Sequence, residues 1–137
     1  MKTVQQVLEG KKSGVLAVAP TSSVYDALKL MADEDVGSLV VLEGERLAGI
    51  FSERDYARKV ILFGKSSRET EVREIMTEKV LSVGPHATMK ECMALMTDKH
   101  VRHLPVLEGK RVVGVISIGD AVKETIADQQ LTIEQLE

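Results

Sequence analysis

The chain has 137 residues, 44% hydrophobic and 28% charged, with a formal net charge of −3. These values are typical of a globular protein and argue against a nucleic-acid-binding surface spread over the whole molecule. No apolar run approaches the ~20 residues of a membrane span, residues 1–7 lack a secretory signal, and one cysteine cannot form an intrachain disulfide, so we expect a cytoplasmic protein without a membrane partner.

The first predicted elements are a short strand and an amphipathic helix. Residues 16–18 form an apolar run that stops at Pro20, which predicts a strand. Ser23, with Asp26 three residues later, predicts the start of a helix. The apolar side chains that follow recur at helical spacing, at Val24, Ala27, Leu28 and Met31. Core packing, rather than ligand binding, is the expected role of this stripe.

A β-hairpin and a second helix come next. Residues 39–42 and 47–51 are apolar runs joined by a loop that contains Gly44, which predicts two buried strands and a tight turn. A helix is predicted to begin at Ser52 and to continue through residue 61. The polar residues 64–70 break the pattern, and we interpret them as a linker.

The same order of elements then returns. A shift of 65 residues aligns residues 15–58 with residues 80–123 without a gap, and 17 of the 44 pairs are identical. Unrelated segments would agree at about one position in fifteen, so we infer a tandem duplication. The second copy predicts a strand at 81–83 and a helix whose start at Thr88 forms a capping box with Glu91.

The repeats predict the fold class and the domain organisation. We expect an α+β fold of two tandem β-α-β-β-α repeats, residues 1–66 with an N-terminal helical extension and residues 67–137 with a C-terminal helical tail. Pro105 is typical of a strand at the edge of a sheet or of the beginning of a strand. The apolar tail residues suggest an oligomer contact; they are Val122, Ile126, Leu131 and Ile133.

Each repeat contains one seven-residue motif, at 49–55 and 114–120: glycine, two apolar residues, serine, two variable residues and aspartate. A serine N-cap with aspartate at the third helical position would stabilise any helix by about 1 kcal/mol. The same geometry offers free amides to an anion, and the carboxylate can accept hydrogen bonds from vicinal hydroxyls such as those of ribose. The motif alone leaves both roles open.

The two repeats and their motifs resemble a pair of cystathionine β-synthase (CBS) domains, the Bateman module, over residues 15 to about 127. Residues 54–60 also resemble stand-alone proteins that consist of one such pair. The resemblance implies that the repeats pack as a pseudo-twofold pair, bind adenosine compounds in the clefts between them, and form a homodimer. It implies a regulatory sensor of adenine nucleotides, with AMP as the first expectation and ADP, ATP, NAD or S-adenosylmethionine as alternatives. The regulated protein would be an unknown partner bound in trans.

The resemblance also assigns roles to single residues. Asp55 and Asp120 would hold ribose hydroxyls, and Ser52 and Ser117 would bond ribose or phosphate. The opposite repeat would form the wall around the adenine. The wall residues would be Leu16, Val36 and Ser38 for one site, and Thr77, Leu81, Val101 and His103 for the other.

Basic residues distinguish the two implied sites. The second copy has the pair Arg102-His103, which some family members use to meet phosphates, where the first copy has glycine and serine. Arg54 adds a charge beside Asp55, whereas a glycine precedes Asp120. We therefore expect one dominant site, with a preference for Asp55, where Arg54 and Arg102 can converge.

Other interpretations compete with the sensor hypothesis. The same dimer could be a ligand-free interaction scaffold with vestigial clefts. A basic strip comprises Arg54, Arg58, Lys59 and Lys65. We expect this strip to be a solvated helix face, with a nucleic-acid partner as the less favoured alternative. Two histidines three residues apart lack the further ligands of a metal site. The sequence contains no Walker loop and no pattern of a nucleophile with its base, so we expect no catalytic residues and no enzyme activity.

Overall fold

The structure is a computed structural model that describes residues 1–11 and 14–136. Its helices are α1 (Val4–Glu9), α2 (Val24–Glu34), α3 (Glu53–Tyr56), α4 (Met89–Lys99) and α5 (Ile118–Leu136). Its strands are β1 (Ala17–Val18), β2 (Ser38–Glu43), β3 (Arg46–Ser52), β4 (His103–Glu108) and β5 (Arg111–Ser117). A π-helical turn at Ala57–Ile61 continues α3, and a 3₁₀ turn covers Val72–Glu74. The predicted α+β class with a tandem arrangement is confirmed.

The chain forms two compact units whose boundaries differ from those of the sequence repeats. One unit is Val15–Val80, and the other joins Met1–Gly14 to Leu81–Glu137. Helix α1 therefore packs with the second repeat, although residues 1–66 were grouped by sequence. The 3₁₀ turn packs with the first repeat. Each segment that precedes a repeat is thus part of the unit built around the other repeat.

The unit Val15–Val80 is built on a three-stranded sheet. Strand β1 pairs in parallel with β2, and β2 pairs antiparallel with β3. Helix α2 buries the face that its apolar spacing predicted. The buried cluster consists of Val24, Ala27, Met31, Leu39, Val41, Phe51, Val60, Val72 and Ile75. The 3₁₀ turn and the residue that follows it therefore contribute side chains to this core.

The other unit is built on the antiparallel pair β4 and β5. Helix α1 and the residue pair before it are fixed to this unit by three backbone bonds. The Val4 N–H donates to the Ala87 oxygen at 2.8 Å, the Gln5 N–H to the Pro85 oxygen at 3.0 Å, and the Met89 N–H to the Lys2 oxygen at 2.9 Å. The buried cluster consists of Val4, Val7, Met89, Cys92, Met96, Leu104, Val106, Ile116 and Ala121. Burial raises the pKa of the Cys92 thiol, which fits its predicted place in the core.

The prediction of a full strand at residues 81–83 is wrong. Within the described residues this stretch makes one parallel bridge, between Val83 and Val106. In the first repeat the Val40 N–H donates to the Leu16 oxygen at 3.3 Å. Pro105 stands at the position equivalent to Val40 and has no N–H, so the matching bond to the Leu81 oxygen cannot form. Among the described residues, strand β4 pairs on that side through this one bridge, which agrees with an edge position for Pro105.

The turns and helix ends follow the local sequence closely. Gly44 and Gly109, each with φ of 64°, close the two hairpins in the left-handed region that favours glycine. The capping box predicted at Thr88 is half formed: the Thr88 hydroxyl accepts from the Glu91 N–H at 3.1 Å. In the described part of the chain, the second bond of the box, from the Thr88 N–H to the Glu91 side chain, is not formed. The predicted tail helix is continuous with α5.

Candidate functional site

The first motif places a serine and an aspartate at the junction of β3 and α3. The Ser52 hydroxyl accepts from the Asp55 N–H at 3.2 Å. In return, Oδ2 of Asp55 accepts from the Ser52 N–H at 2.9 Å and from its hydroxyl at 3.1 Å. These bonds confirm the predicted N-cap. The Asp55 side chain is 12% exposed, so its carboxylate is held in one orientation near the surface.

The second motif repeats this arrangement at the junction of β5 and α5. Oδ2 of Asp120 accepts from the Ser117 N–H at 2.8 Å and from its hydroxyl at 3.1 Å. The Asp120 N–H donates to the Ser117 hydroxyl at 3.2 Å. The Asp120 side chain is 13% exposed. The duplication has therefore preserved a fixed carboxylate at nearly the same distances.

The glycine of each motif permits a close approach by another segment. A Cβ atom at Gly49 would lie 2.7 Å from the Thr77 oxygen and 2.8 Å from Sδ of Met76. A Cβ atom at Gly114 would lie 2.5 Å from Cδ2 of Leu8. The segment that precedes each repeat thus lies against the motif of the other repeat. Sequence analysis identified the glycines but not this reason for them.

Two further side chains bond the first carboxylate. The Thr77 hydroxyl donates to Oδ1 of Asp55 at 3.3 Å, so the structure brings this predicted residue to the motif. Nζ of Lys59 lies 3.2 Å from the same oxygen and donates to the Ile75 oxygen at 3.1 Å. Lys59 is therefore ion-paired as well as partly exposed, with 42% of its side chain accessible. Its spacing of four residues from Asp55 is the signal that would have indicated an ion pair.

A lysine from the N-terminal segment bonds the second carboxylate. Nζ of Lys11 lies 2.8 Å from Oδ2 of Asp120 and 2.9 Å from the Val115 oxygen. Burial raises the pKa of Asp120, but the hydrogen bonds from Lys11 and Ser117 outweigh it and hold that pKa below its ordinary value. Because 109 residues separate the two partners, no local pattern could have identified Lys11.

The basic pair lies beside the second motif within its own repeat. His103 opens β4 and faces Ser117 across the hairpin. The Ile118 N–H donates to the Arg102 oxygen at 2.8 Å, which ties this residue to the start of α5. In the first repeat Ser38 faces Ser52 in the same way.

Charges from several elements act on the His103 ring. Burial lowers the pKa of His103, and the positive charges of Lys11 and Arg102 lower it further, while Asp120 acts in the opposite direction. The ring is therefore neutral near pH 7. These four residues form one mixed-charge group in the unit that contains Leu81–Glu137.

The remaining predicted residues divide between the two units. The unit Val15–Val80 contains Leu16, Val36, Ser38, Ser52, Arg54, Asp55 and Thr77. The other contains Leu81, Val101, Arg102, His103, Ser117 and Asp120. The structure brings Thr77 to the first motif and His103 to the second. The walls around adenine, and the convergence of Arg54 with Arg102, stay predictions.

Across residues 1–11 and 14–136, no group of three or more His, Cys, Asp or Glu side chains could hold a metal ion. In the same residues, no helix combines the length and the apolar character needed to cross a membrane.

Comparisons with known proteins agree with the duplicated motif. The family model for the CBS domain matches residues 11–61 and 72–126. The mitochondrial CBS domain-containing protein CBSX3 of Arabidopsis thaliana is 39% identical over 98% of this chain and 69% of its own length. A putative signal-transduction protein with CBS domains from Burkholderia ambifaria is 51% identical, with a TM-score of 0.87 over 93% of this chain and 96% of that one. A CBS-domain containing protein from Agrobacterium tumefaciens is 34% identical, with a TM-score of 0.85 over 90% and 99%.

Proposed function

Because the chain belongs to the CBS-domain family, we propose that it is a regulatory module that binds an adenine nucleotide and acts on a separate protein. The observation that carries the proposal is the pair of fixed carboxylates, Asp55 and Asp120, at equivalent strand–helix junctions. We further propose that it has no enzyme activity of its own and acts as a cytoplasmic homodimer. The names of the compared relatives describe CBS domains or signal transduction.

The geometry of the motifs suits a ribose better than a metal. Each carboxylate is bonded on one oxygen by its own motif serine, so the side chain does not need to be ordered when a ligand arrives. A carboxylate is an acceptor, and the vicinal hydroxyls of ribose are donors that match it. Asp55 and Asp120 are therefore the proposed ribose contacts, and the adjacent serines are the proposed contacts for ribose or phosphate.

Membership of the family favours a ligand that contains adenosine. The candidate ligands differ in the group that is linked to the adenosine. AMP is the first candidate, and ADP, ATP, NAD and S-adenosylmethionine are the alternatives. The basic pair Arg102-His103 favours a ligand that carries phosphate, because the planar guanidinium group of arginine can donate paired hydrogen bonds to phosphate oxygens. Regulation would follow if the ligand binds one conformation of the protein more tightly than another, because binding then increases the population of that conformation.

Calorimetric titration tests the proposal directly. The protein is titrated with each of the five ligands, alongside Asp55→Asn and Asp120→Asn, which keep the shape of the side chain and remove its charge. Asp98→Asn is the matched control, because the Asp98 side chain is 75% exposed and lies outside both motifs. We expect saturable binding that at least one motif variant weakens by tenfold or more and that the control leaves unchanged. Absence of binding by all five ligands to folded protein would contradict the proposal.

A second candidate is an interaction scaffold without a ligand. Its support is the apolar surface of α5, where Val122, Ile126, Leu131 and Ile133 are each 48–59% exposed. Isolated exposed apolar residues are ordinary, but Val122, Ile126 and Ile133 lie within about 40° of one another around the helix, which favours a surface that another protein covers. Light scattering after size-exclusion chromatography measures the oligomeric state. A dimer that binds none of the five ligands would favour the scaffold.

A further inference from the structure

Lys11 bonds the carboxylate of the second motif from the N-terminal segment, whereas Lys59 bonds that of the first motif from the turn that continues the same helix. Its ammonium group donates to Oδ2 of Asp120 and to the backbone oxygen of Val115, at 2.8 Å and 2.9 Å. An ammonium group has three N–H donors, and these two acceptors use two of them. The Lys11 side chain is 34% exposed, so the third donor can reach an arriving ligand.

The two carboxylates differ in the oxygen that their serines leave unused. At Asp55 this oxygen, Oδ1, already accepts from Thr77 at 3.3 Å and lies 3.2 Å from the ammonium group of Lys59. At Asp120 the serine and Lys11 share Oδ2. No hydrogen bond from residues 1–11 or 14–136 reaches Oδ1 of Asp120. A hydroxyl donor must therefore displace or share existing partners at Asp55, whereas at Asp120 none of the described residues occupies Oδ1.

The charges around Asp120 favour an anion next to that acceptor. Lys11 and Arg102 are both positive and both lower the pKa of the half-buried His103 ring. In the described part of the chain, the charged groups that act on this ring are two cations, Lys11 and Arg102, and one carboxylate, that of Asp120, so their net charge is positive. A ligand that combines a hydroxyl donor with a nearby phosphate matches the open Oδ1 and the exposed ammonium group together.

We propose that Lys11 contacts the phosphate of a nucleotide bound at Asp120 and makes this the tighter of the two sites. The inference rests on the proposed function, and it differs from the preference for Asp55 that sequence alone suggested. Lys11 thereby determines specificity: it favours AMP and ATP over adenosine, which has the ribose and the base but no phosphate. The alternative role for Lys11 is purely structural, as a tie between the N-terminal segment and α5.

The experiment isolates the Asp120 site and varies the phosphate. In an Asp55→Asn background, adenosine, AMP and ATP are titrated by calorimetry at constant salt into protein with Lys11 intact, Lys11→Met or Lys11→Arg. We expect Lys11→Met to weaken AMP and ATP by about tenfold or more, the effect of one charge-assisted hydrogen bond, and adenosine by less than about threefold. Lys11→Arg should retain most of the phosphate preference.

A matched control separates direct contact from general charge. Lys2→Met removes the same charge from a lysine of the same unit whose side chain is 58% exposed, and it should leave all three affinities nearly unchanged. Circular dichroism checks folding, and Lys11→Gln replaces Lys11→Met with the same expectations if the latter does not fold. The site order is tested with ATP: Asp120→Asn should weaken the tightest binding more than Asp55→Asn does.

The possible failures point to different conclusions. Equal losses for adenosine and AMP in Lys11→Met would show a structural tie and overturn the specificity role. Equal effects of Lys11→Met and Lys2→Met would overturn the direct contact, and a larger loss in Asp55→Asn would overturn the site order. In these three cases the protein still binds nucleotide and the proposed function stands. If no variant and no wild-type protein binds any nucleotide, the proposed function fails and this inference fails with it.

Discussion

Replacing Gly49 with alanine tests whether the motif glycine is required by close approach. The added Cβ would lie 2.7 Å from the Thr77 oxygen, well inside the 3.4 Å at which ordinary contact begins. The two groups must therefore separate by about 0.5 Å or more. The Thr77 backbone cannot move freely, because it exchanges two hydrogen bonds with Ile50, at 2.9 Å and 3.0 Å.

The expected cost follows from these contacts. Overpacking of this kind costs about 1–3 kcal/mol, and weakening the two backbone bonds contributes up to about 1 kcal/mol each. Alanine also lowers the conformational entropy of the unfolded chain, which stabilises the folded protein by about 0.4–1 kcal/mol. We expect Gly49→Ala to lower the free energy of unfolding by about 1–3 kcal/mol. Gly114→Ala should cost less than about 1 kcal/mol, because the three atoms nearest its added Cβ all belong to the flexible side chain of Leu8.

Urea denaturation followed by far-ultraviolet circular dichroism measures these differences. Gly84→Ala is the control, since within the described residues nothing lies within 4 Å of its added Cβ. The midpoint for Gly49→Ala should fall clearly below that for Gly84→Ala, with Gly114→Ala between them. Equal midpoints for Gly49→Ala and Gly84→Ala would refute the argument from close approach.

Three more predictions concern the second repeat. The hydrogen bonds that hold the pKa of Asp120 below its ordinary value contribute stability that is complete above about pH 3.9 and is lost as the pH falls through the folded-state pKa. Unfolding free energies from pH 5 to 2.5 should therefore fall less steeply in Asp120→Asn, and parallel curves would contradict this. Burial and neighbouring cations lower the pKa of His103, so its NMR titration should have a midpoint below 6.5, and Lys11→Met should raise that midpoint; an unchanged midpoint would place Lys11 away from the ring. Pro105→Val supplies the missing N–H and should yield an amide at 105 protected from hydrogen exchange, with stability changed by less than about 1 kcal/mol because the new bond and the lost rigidity nearly cancel; rapid exchange at that amide would contradict our account of the absent strand.

Elements whose signals lie within a few residues could be predicted from the sequence. The apolar spacing of α2, the turn glycines and the capping of α3 by Ser52 all follow from local geometry, and the structure confirms them. The duplication strengthened these predictions, because two copies gave the same pattern. The π-helical turn at Ala57–Ile61 has no comparable local signature, and it was predicted as ordinary helix.

Features that depend on distant partners could not be predicted in this way. The loss of the strand at 81–83 follows from Pro105, but only once the pairing of the two stretches is known. The ion pair of Lys11 with Asp120 depends on the path of the N-terminal segment. The sequence repeats gave no indication that this segment packs with the second copy, because periodicity describes each copy and not the partner that covers it.

The segment before each repeat packs in the unit of the other repeat, so the compact units do not coincide with the repeats of the sequence. A division after residue 66 would separate the first repeat from Val72 and Ile75, which complete its core. The second repeat, divided in the same way, would lose Val4 and Val7. The boundaries between the two compact units lie before residue 15 and after residue 80. The N-terminal amine lies 3.6 Å from the Asp128 carboxylate of α5. A circularly permuted chain that starts at residue 15 and joins the original C-terminus to the original N-terminus would therefore contain each unit as one continuous stretch of sequence.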